Sequence, residues 1–254
     1  MNRAPLTSRL ALVAGLALAL GLTACSAGEQ ESETLTVFAA ASLKSSFEVI
    51  GKDFEAAHPG TKINYSFNGS STLVTQLKEG APADVFASAD EKNMARATDG
   101  KLVTATPMIF ATNVLTLAVA PGNPLKITGL DQSLRGRKLV VCADGVPCGN
   151  ATAKLSRDLG ITLEPVSAEQ SVTDVLGKVV SGEADAGVVY ATDAKGAGDR
   201  VGAVAIPGAD KAVNRYPIAV TAHARRPQLA HDFVDAVTGP RGQQVLADAG
   251  FGKP

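Results

Sequence analysis

Leu35-Thr36-Val37-Phe38-Ala39-Ala40-Ala41-Ser42-Leu43 and Ile63-Asn64-Tyr65-Ser66-Phe67-Asn68-Gly69-Ser70-Ser71-Thr72-Leu73 are the two stretches on which the fold turns. Each opens as an apolar or alternating run of strand length and passes through a turn of small and hydroxyl residues. Each then gives way to helical spacing. After the first turn Leu43, Phe47, Ile50 and Phe54 mark one helix face, stopped by His58-Pro59-Gly60. After the second, a helix from about Thr72 carries Leu73 and Leu77 and ends at Gly80 before Pro82. Strand, turn and helix in immediate repetition predict an α/β protein on largely parallel sheets.

The pattern continues outward. Residues 84–87 predict a buried strand and 91–98 a helix. The same rhythm restarts after Asn113, with strands over 114–119 and 138–143, helices over 150–159 and 172–180, and strands over 186–190 and 201–206. A strand over 217–221 and helices from about Pro227 and Arg241 close the chain. A unit that restarts midway predicts two lobes, and no repeat of solenoid length is visible.

The first residues read as an export signal: Arg3 and Arg9 precede the apolar run 10–22, which is too short for a comfortable membrane span. Leu22-Thr23-Ala24-Cys25 resembles a bacterial lipobox, so 1–24 is expected to be removed and Cys25 to carry lipid. An ordinary signal peptide ending near a cysteine is the alternative. Residues 25–34 are then a polar tether, and the lipid is the only expected hold on the membrane. The 24 Lys and Arg stand against 25 Asp and Glu, two of the cations being in the leader. A mildly acidic body has no electrostatic draw for nucleic acid.

Enzyme signatures are absent from the sequence: no nucleophile elbow, Walker loop, dinucleotide glycine pattern or zinc-protease helix. His58, His223 and His231 are scattered and read as solvated. The informative feature is the pair of serine turns. Either serine taken alone is best read as a helix cap. Two such turns at the carboxyl ends of neighbouring strands, however, aim free N–H groups at one crevice, and the hydroxyls can rotate to donate as well. A field of donors suits a small oxyanion that keeps no proton at neutral pH, since a protonated one would leave its O–H unpaired. Sulfate meets that requirement as well. With no Trp and only three Tyr the chain lacks the aromatic faces of sugar sites, and no candidate loop pairs an Arg with an acid as amino-acid sites do.

Further motifs complete a likeness. The first turn with Val37 and Phe38 before it, Ser70-Ser71-Thr72-Leu73, Gly80-Ala81-Pro82-Ala83-Asp84-Val85-Phe86-Ala87-Ser88-Ala89-Asp90 and Gly187-Val188-Val189-Tyr190 together resemble the molybdate-binding proteins of ABC transporters. The resemblance runs from about residue 35 to the C-terminus. It implies a two-lobed periplasmic-binding type II fold with a ligand cleft between the lobes. Lobe 1 would comprise 35–111 and 217–254 and lobe 2 112–216, with crossings near 111–114 and 214–217. It implies that Ser42 and Ser70 hold the oxyanion from one lobe. The backbone amides of Val172 and of a residue in Gly145-Val146-Pro147-Cys148-Gly149, taken as Cys148, and the Tyr190 hydroxyl would hold it from the other. Without the likeness Tyr190 reads equally as a core tyrosine.

The implied ligand is molybdate or tungstate, with molybdenum reaching the protein only as its oxyanion and no side chain bound to the metal. The implied partner is an ABC permease. A monomer with no cofactor and no catalytic activity is expected. Another tetrahedral oxyanion such as sulfate, or an enzyme or sensor on the same fold, is the alternative. Cys148 stands where many relatives have alanine, which matters little if only its N–H is used. With Cys25 lipidated, Cys142 and Cys148 are the two thiols left in an exported protein, and a disulfide closing the ligand loop is expected to contribute ~2 kcal/mol. Two free thiols are the alternative.

Overall fold

The computed structural model describes residues 33–104 and 106–254, so the expected leader and the Cys25 anchor lie outside the described residues. In chain order the elements are β1 (Glu33–Ala40), α1 (Lys44–Ala57), β2 (Thr61–Asn68), α2 (Ser70–Lys78), β3 (Val85–Ala87), α3 (Glu91–Asp99), β4 (Met108–Asn113) and β5 (Leu115–Val119). There follow β6 (Leu139–Cys142), α4 (Pro147–Asp158), β7 (Ser167–Glu169), α5 (Val172–Val180), β8 (Ala186–Tyr190), α6 (Ala191–Ala197), β9 (Gly202–Ala205), β10 (Asn214–Val220), α7 (Pro227–Thr238) and α8 (Pro240–Ala249). The first strand starts at Glu33 and so takes in the last two residues read as tether.

These elements build two five-stranded sheets, ordered β2-β1-β3-β10-β4 and β7-β6-β8-β5-β9. Each is the centre of an α/β lobe. β1 is apolar on both faces because both are covered: Leu35, Val37 and Ala39 are fully buried and Phe38 nearly so. On one side α1 lays Phe47, Ile50 and Phe54 against Phe110 and Phe233, with ring centroids 5.4 to 5.9 Å apart. The second sheet has its own core around Leu117, Val140, Leu155, Val175 and Val188.

The expectation of largely parallel sheets needs correction. β1 lies parallel to β2 and β3, and β6 to β7 and β8, but β10 runs antiparallel to β3 and β4, and β5 antiparallel to β8 and β9. The cause is the route of the chain. A parallel neighbour requires a helical crossover. β4 instead passes into β5 through Val114 alone, and the return from β9 to β10 contains only a short 3-10 turn. These two passages lie side by side, since Asn113 pairs with Asn214 where β4 ends and β10 begins. The strands β4 and β7 and the helix α6 escaped the sequence reading. The helix α4 starts at Pro147 rather than 150, with proline at a position where its missing N–H costs nothing.

Candidate functional site

The carboxyl ends of β1, β2, β6 and β8 point towards one another across the gap between the sheets, the place where open α/β sheets hold ligands. Ser42, Ser70, Cys148, Val172 and Tyr190 all line one cavity there, together with the backbone of Gly69 and Ala89. The cavity is small, about 10 Å³ open to the centre of a water molecule, so no sugar or amino acid fits it with the lobes as they stand. A larger hollow of about 740 Å³ lies beside Leu134, Arg137 and Val166, at the other end of β6, and includes none of the five residues.

Neither serine caps its helix. Ser42 sits in a 3-10 turn at Ala41–Leu43 whose first bonds use no side chain. Ser70 is already the first residue of α2, and Gly69 occupies the capping position. Their hydroxyls are engaged elsewhere: Ser42 Oγ lies 3.0 Å from the Tyr216 hydroxyl, and Ser70 Oγ accepts from Ala89 N–H at 3.0 Å. Ser70 therefore keeps its own proton for another acceptor.

The amide donors come from helix starts, where the first N–H groups have no partner inside the helix. In α4 the first such bond is Asn150 N–H to Val146, and Pro147 has no N–H, so Cys148 and Gly149 are the donors without an intrahelical acceptor. In α5 the first is Val175 N–H to Ser171, while Ser171 Oγ accepts from Asp174 N–H. That leaves Val172 and Thr173. Positive helix ends and free amides at one point favour an anion.

Tyr190 ends β8 with its ring fully buried and its hydroxyl lacking any hydrogen-bond partner among the described residues. Burial, then the neighbouring Tyr216 and the Asp90 and Asp193 carboxylates, raise this phenol well above its ordinary value. It stays a protonated donor. A buried hydroxyl left unpaired costs about 1 to 3 kcal/mol, so the position is explained by a partner that arrives from outside.

The Cys142–Cys148 disulfide is formed, with the α-carbons 5.6 Å apart. It ties the end of β6 to the first turn of α4 and so fixes the loop that presents the Cys148 amide. Replacing both cysteines by serine should lower stability by ~2 kcal/mol on chemical denaturation, and should weaken ligand binding more than a distant surface change does.

Sequence reasoning missed the groups that hold the cleft shut. The Asp90 side chain caps α3 by accepting from Asn93 N–H at 2.9 Å, and it also accepts from Asn150 Nδ2 of the other lobe at 2.9 Å. Asn93 Nδ2 donates across to the Gly145 carbonyl at 3.1 Å, and Lys92 Nζ to Asn150 Oδ1 at 3.2 Å. The capping role of Asp90 was legible from its place before Glu91. Its bond to a residue 60 positions away was not.

Asp193, in the first turn of α6, accepts from Tyr190 N–H at 3.0 Å. Burial pushes its carboxyl up from 3.8 to about 7, and that hydrogen bond pulls the other way. The folded protein thus holds this proton more tightly than the unfolded chain. The linkage is absent below about pH 4, lowers stability as the pH climbs to about 7, and stays constant above that. Asp193→Asn should therefore raise stability near pH 8 by roughly 1 to 3 kcal/mol, less than the full shift because part of the side chain stays open to solvent, and should make no difference below about pH 4.

Among the described residues no group of three or more His, Cys, Asp or Glu is placed to hold a metal ion. No Lys, Arg or His lines the cavity either. Two α/β lobes closed on a cavity of hydroxyl and amide donors offer a small anion hydrogen bonds from both sides. The chain belongs to the bacterial extracellular solute-binding protein family, whose model matches residues 35–252. It is 45% identical to the molybdate-binding protein of Mycobacterium tuberculosis over 93% of this chain and 95% of that one. It is 32% identical to the molybdate-binding protein of Escherichia coli over 95% and 97%. The fold matches that of the periplasmic molybdate-binding protein of Azotobacter vinelandii with a TM-score of 0.76 over 87% of this chain and 99% of that one, at 22% identity.

Proposed function

We propose that this exported protein captures molybdate, or the near-identical tungstate, between its lobes and delivers it to the permease of an ABC importer. The observation that carries the reading is the convergence of Ser42, Ser70, the Cys148 and Val172 amides and the unpartnered Tyr190 hydroxyl on one cavity without a cation. Burying a dianion is costly unless each oxygen finds hydrogen bonds, and such donors supply them without a fixed counter-charge. The 45% identity to a molybdate-binding protein supports the larger anion over sulfate, which the donor chemistry alone also accommodates. Capture rather than catalysis fits the lining, where Tyr190 is the one titratable side chain. Closure is then driven by bonds the ion makes to both lobes. Lipid on Cys25 would keep the body at the membrane beside its permease.

Calorimetric titration of the purified body with molybdate, tungstate, sulfate and phosphate tests this. Tight binding is expected for the first two only. Sulfate binding of equal or greater strength would sink the assignment.

A further inference from the structure

We infer that Tyr216, which does not line the cavity, sets the direction of the Ser42 hydroxyl and thereby makes the site select against protonated oxyanions. This deepens the oxyanion reading and rests on it.

A chain of hydrogen bonds runs inward from the passage between the lobes. Asn113, at the end of β4, accepts from Val114 N–H through Oδ1 at 3.0 Å. That bond fixes its amide, so Nδ2 faces the other way and donates to Thr192 Oγ1 at 2.8 Å and to the Tyr216 hydroxyl at 3.4 Å. An amide nitrogen can only donate, so the Tyr216 oxygen is an acceptor here. Tyr216 is fully buried, and its own proton needs an acceptor. The Ser42 Oγ, 3.0 Å away, supplies it. Ser42 thus receives one proton from behind and turns its own towards the cavity. Burial, with the Asp193 carboxylate behind it, raises the Tyr216 phenol, and so the chain holds its protons across the working range of pH.

Ser70 is fixed the same way by a different donor, the Ala89 N–H, and the Tyr190 hydroxyl, although beside Tyr216, has its proton committed to no well-formed hydrogen bond among the described residues. All three hydroxyls are therefore donors into the cavity before any ion arrives. Molybdate and sulfate, which keep no proton, meet only complementary groups. Hydrogen phosphate brings a proton for which the described lining offers no carboxylate or other charged acceptor. Without Tyr216 the Ser42 oxygen is freed to accept, and the discrimination weakens at that point.

The test is calorimetry of the wild type, Tyr216→Phe, Ser42→Ala and the double variant, with molybdate, sulfate and phosphate as probes and a thermal melt to show that each is folded. The coupling is read on whichever of molybdate and sulfate the wild type binds more tightly, so a wild-type preference for sulfate would defeat the molybdate reading and leave this inference still tested. Tyr216→Phe is expected to weaken that anion about tenfold and to narrow its margin over phosphate. In the Ser42→Ala background the same change should have no further effect, because Tyr216 acts through Ser42. Losses that add in the double variant, or an unchanged margin over phosphate in Tyr216→Phe, would overturn the inference. Should Tyr216→Phe fail to fold, Asn113→Asp reverses the proton order with little change of shape, and the same loss confined to the Ser42 background is expected of it.

Discussion

Gly69→Ala should lower affinity for the bound oxyanion by at least about 100-fold while leaving each lobe folded. Gly69 follows β2 and faces the loop before α5 in the other lobe. A Cβ there would overlap the Gln170 carbonyl oxygen, a backbone atom that cannot swing aside. Its own backbone lies at φ −59°, open to any residue, so alanine costs the first lobe little. The damage falls on closure. With the lobes held apart, an ion seated on Ser42 and Ser70 loses the Cys148 and Val172 amides and the Tyr190 hydroxyl together. Three lost donors at about 1 to 3 kcal/mol each exceed the ~2.8 kcal/mol that a 100-fold change represents. Small-angle scattering with saturating ligand should show the variant open where the wild type is closed. Wild-type affinity in Gly69→Ala would mean that this contact is not part of the ligand-bound state.

Ser70→Ala is the second large effect, because it removes two things at once. The hydroxyl is fully buried and its oxygen accepts from the Ala89 N–H. Alanine leaves that amide buried without an acceptor, costing about 1 to 3 kcal/mol of stability even without ligand. It also leaves the oxyanion one donor short, for a further loss of about ten- to a hundredfold in affinity. The two losses separate experimentally: denaturation of the ligand-free variant reads the first, and calorimetry the second. A protein that melts as the wild type does but binds weakly would show that Ala89 N–H finds another acceptor.

What the sequence made legible is whatever follows from local periodicity. The run from Leu35 to Leu77 folds as strand, helix, strand and helix because its apolar residues fall at the spacing of those elements, and Phe47, Ile50 and Phe54 meet the core they imply. The serine turns stood out for the same reason, as small polar residues between a buried strand and a helix. Their carrying no cap could not be seen, since capping and turning towards a cavity have the same composition. The strands over 114–119 and 217–221 were legible, but their antiparallel direction was hidden because it depends on where the chain passes between sheets. β4 and β5 follow one another with only Val114 between them, and no glycine or proline marks the passage. Tyr216 was hidden more deeply. Its partners Asn113 and Ser42 lie 103 and 174 residues away in sequence, and only the folded pairing of β10 with β4 brings it between them. Gly69 looked like an ordinary turn glycine, and its close approach to Gln170 exists only with the lobes together.

The claim on which the rest depends is that one unprotonated oxyanion sits between the two serines, the two helix starts and Tyr190. A crystal grown with molybdate and measured for anomalous scattering from molybdenum places the metal directly. A single strong peak is expected within the cavity, with oxygens in hydrogen-bond reach of Ser42 Oγ, Ser70 Oγ, the Cys148 and Val172 amides and the Tyr190 hydroxyl. A peak elsewhere on the protein, or a cleft closed on nothing at saturating molybdate, would contradict it.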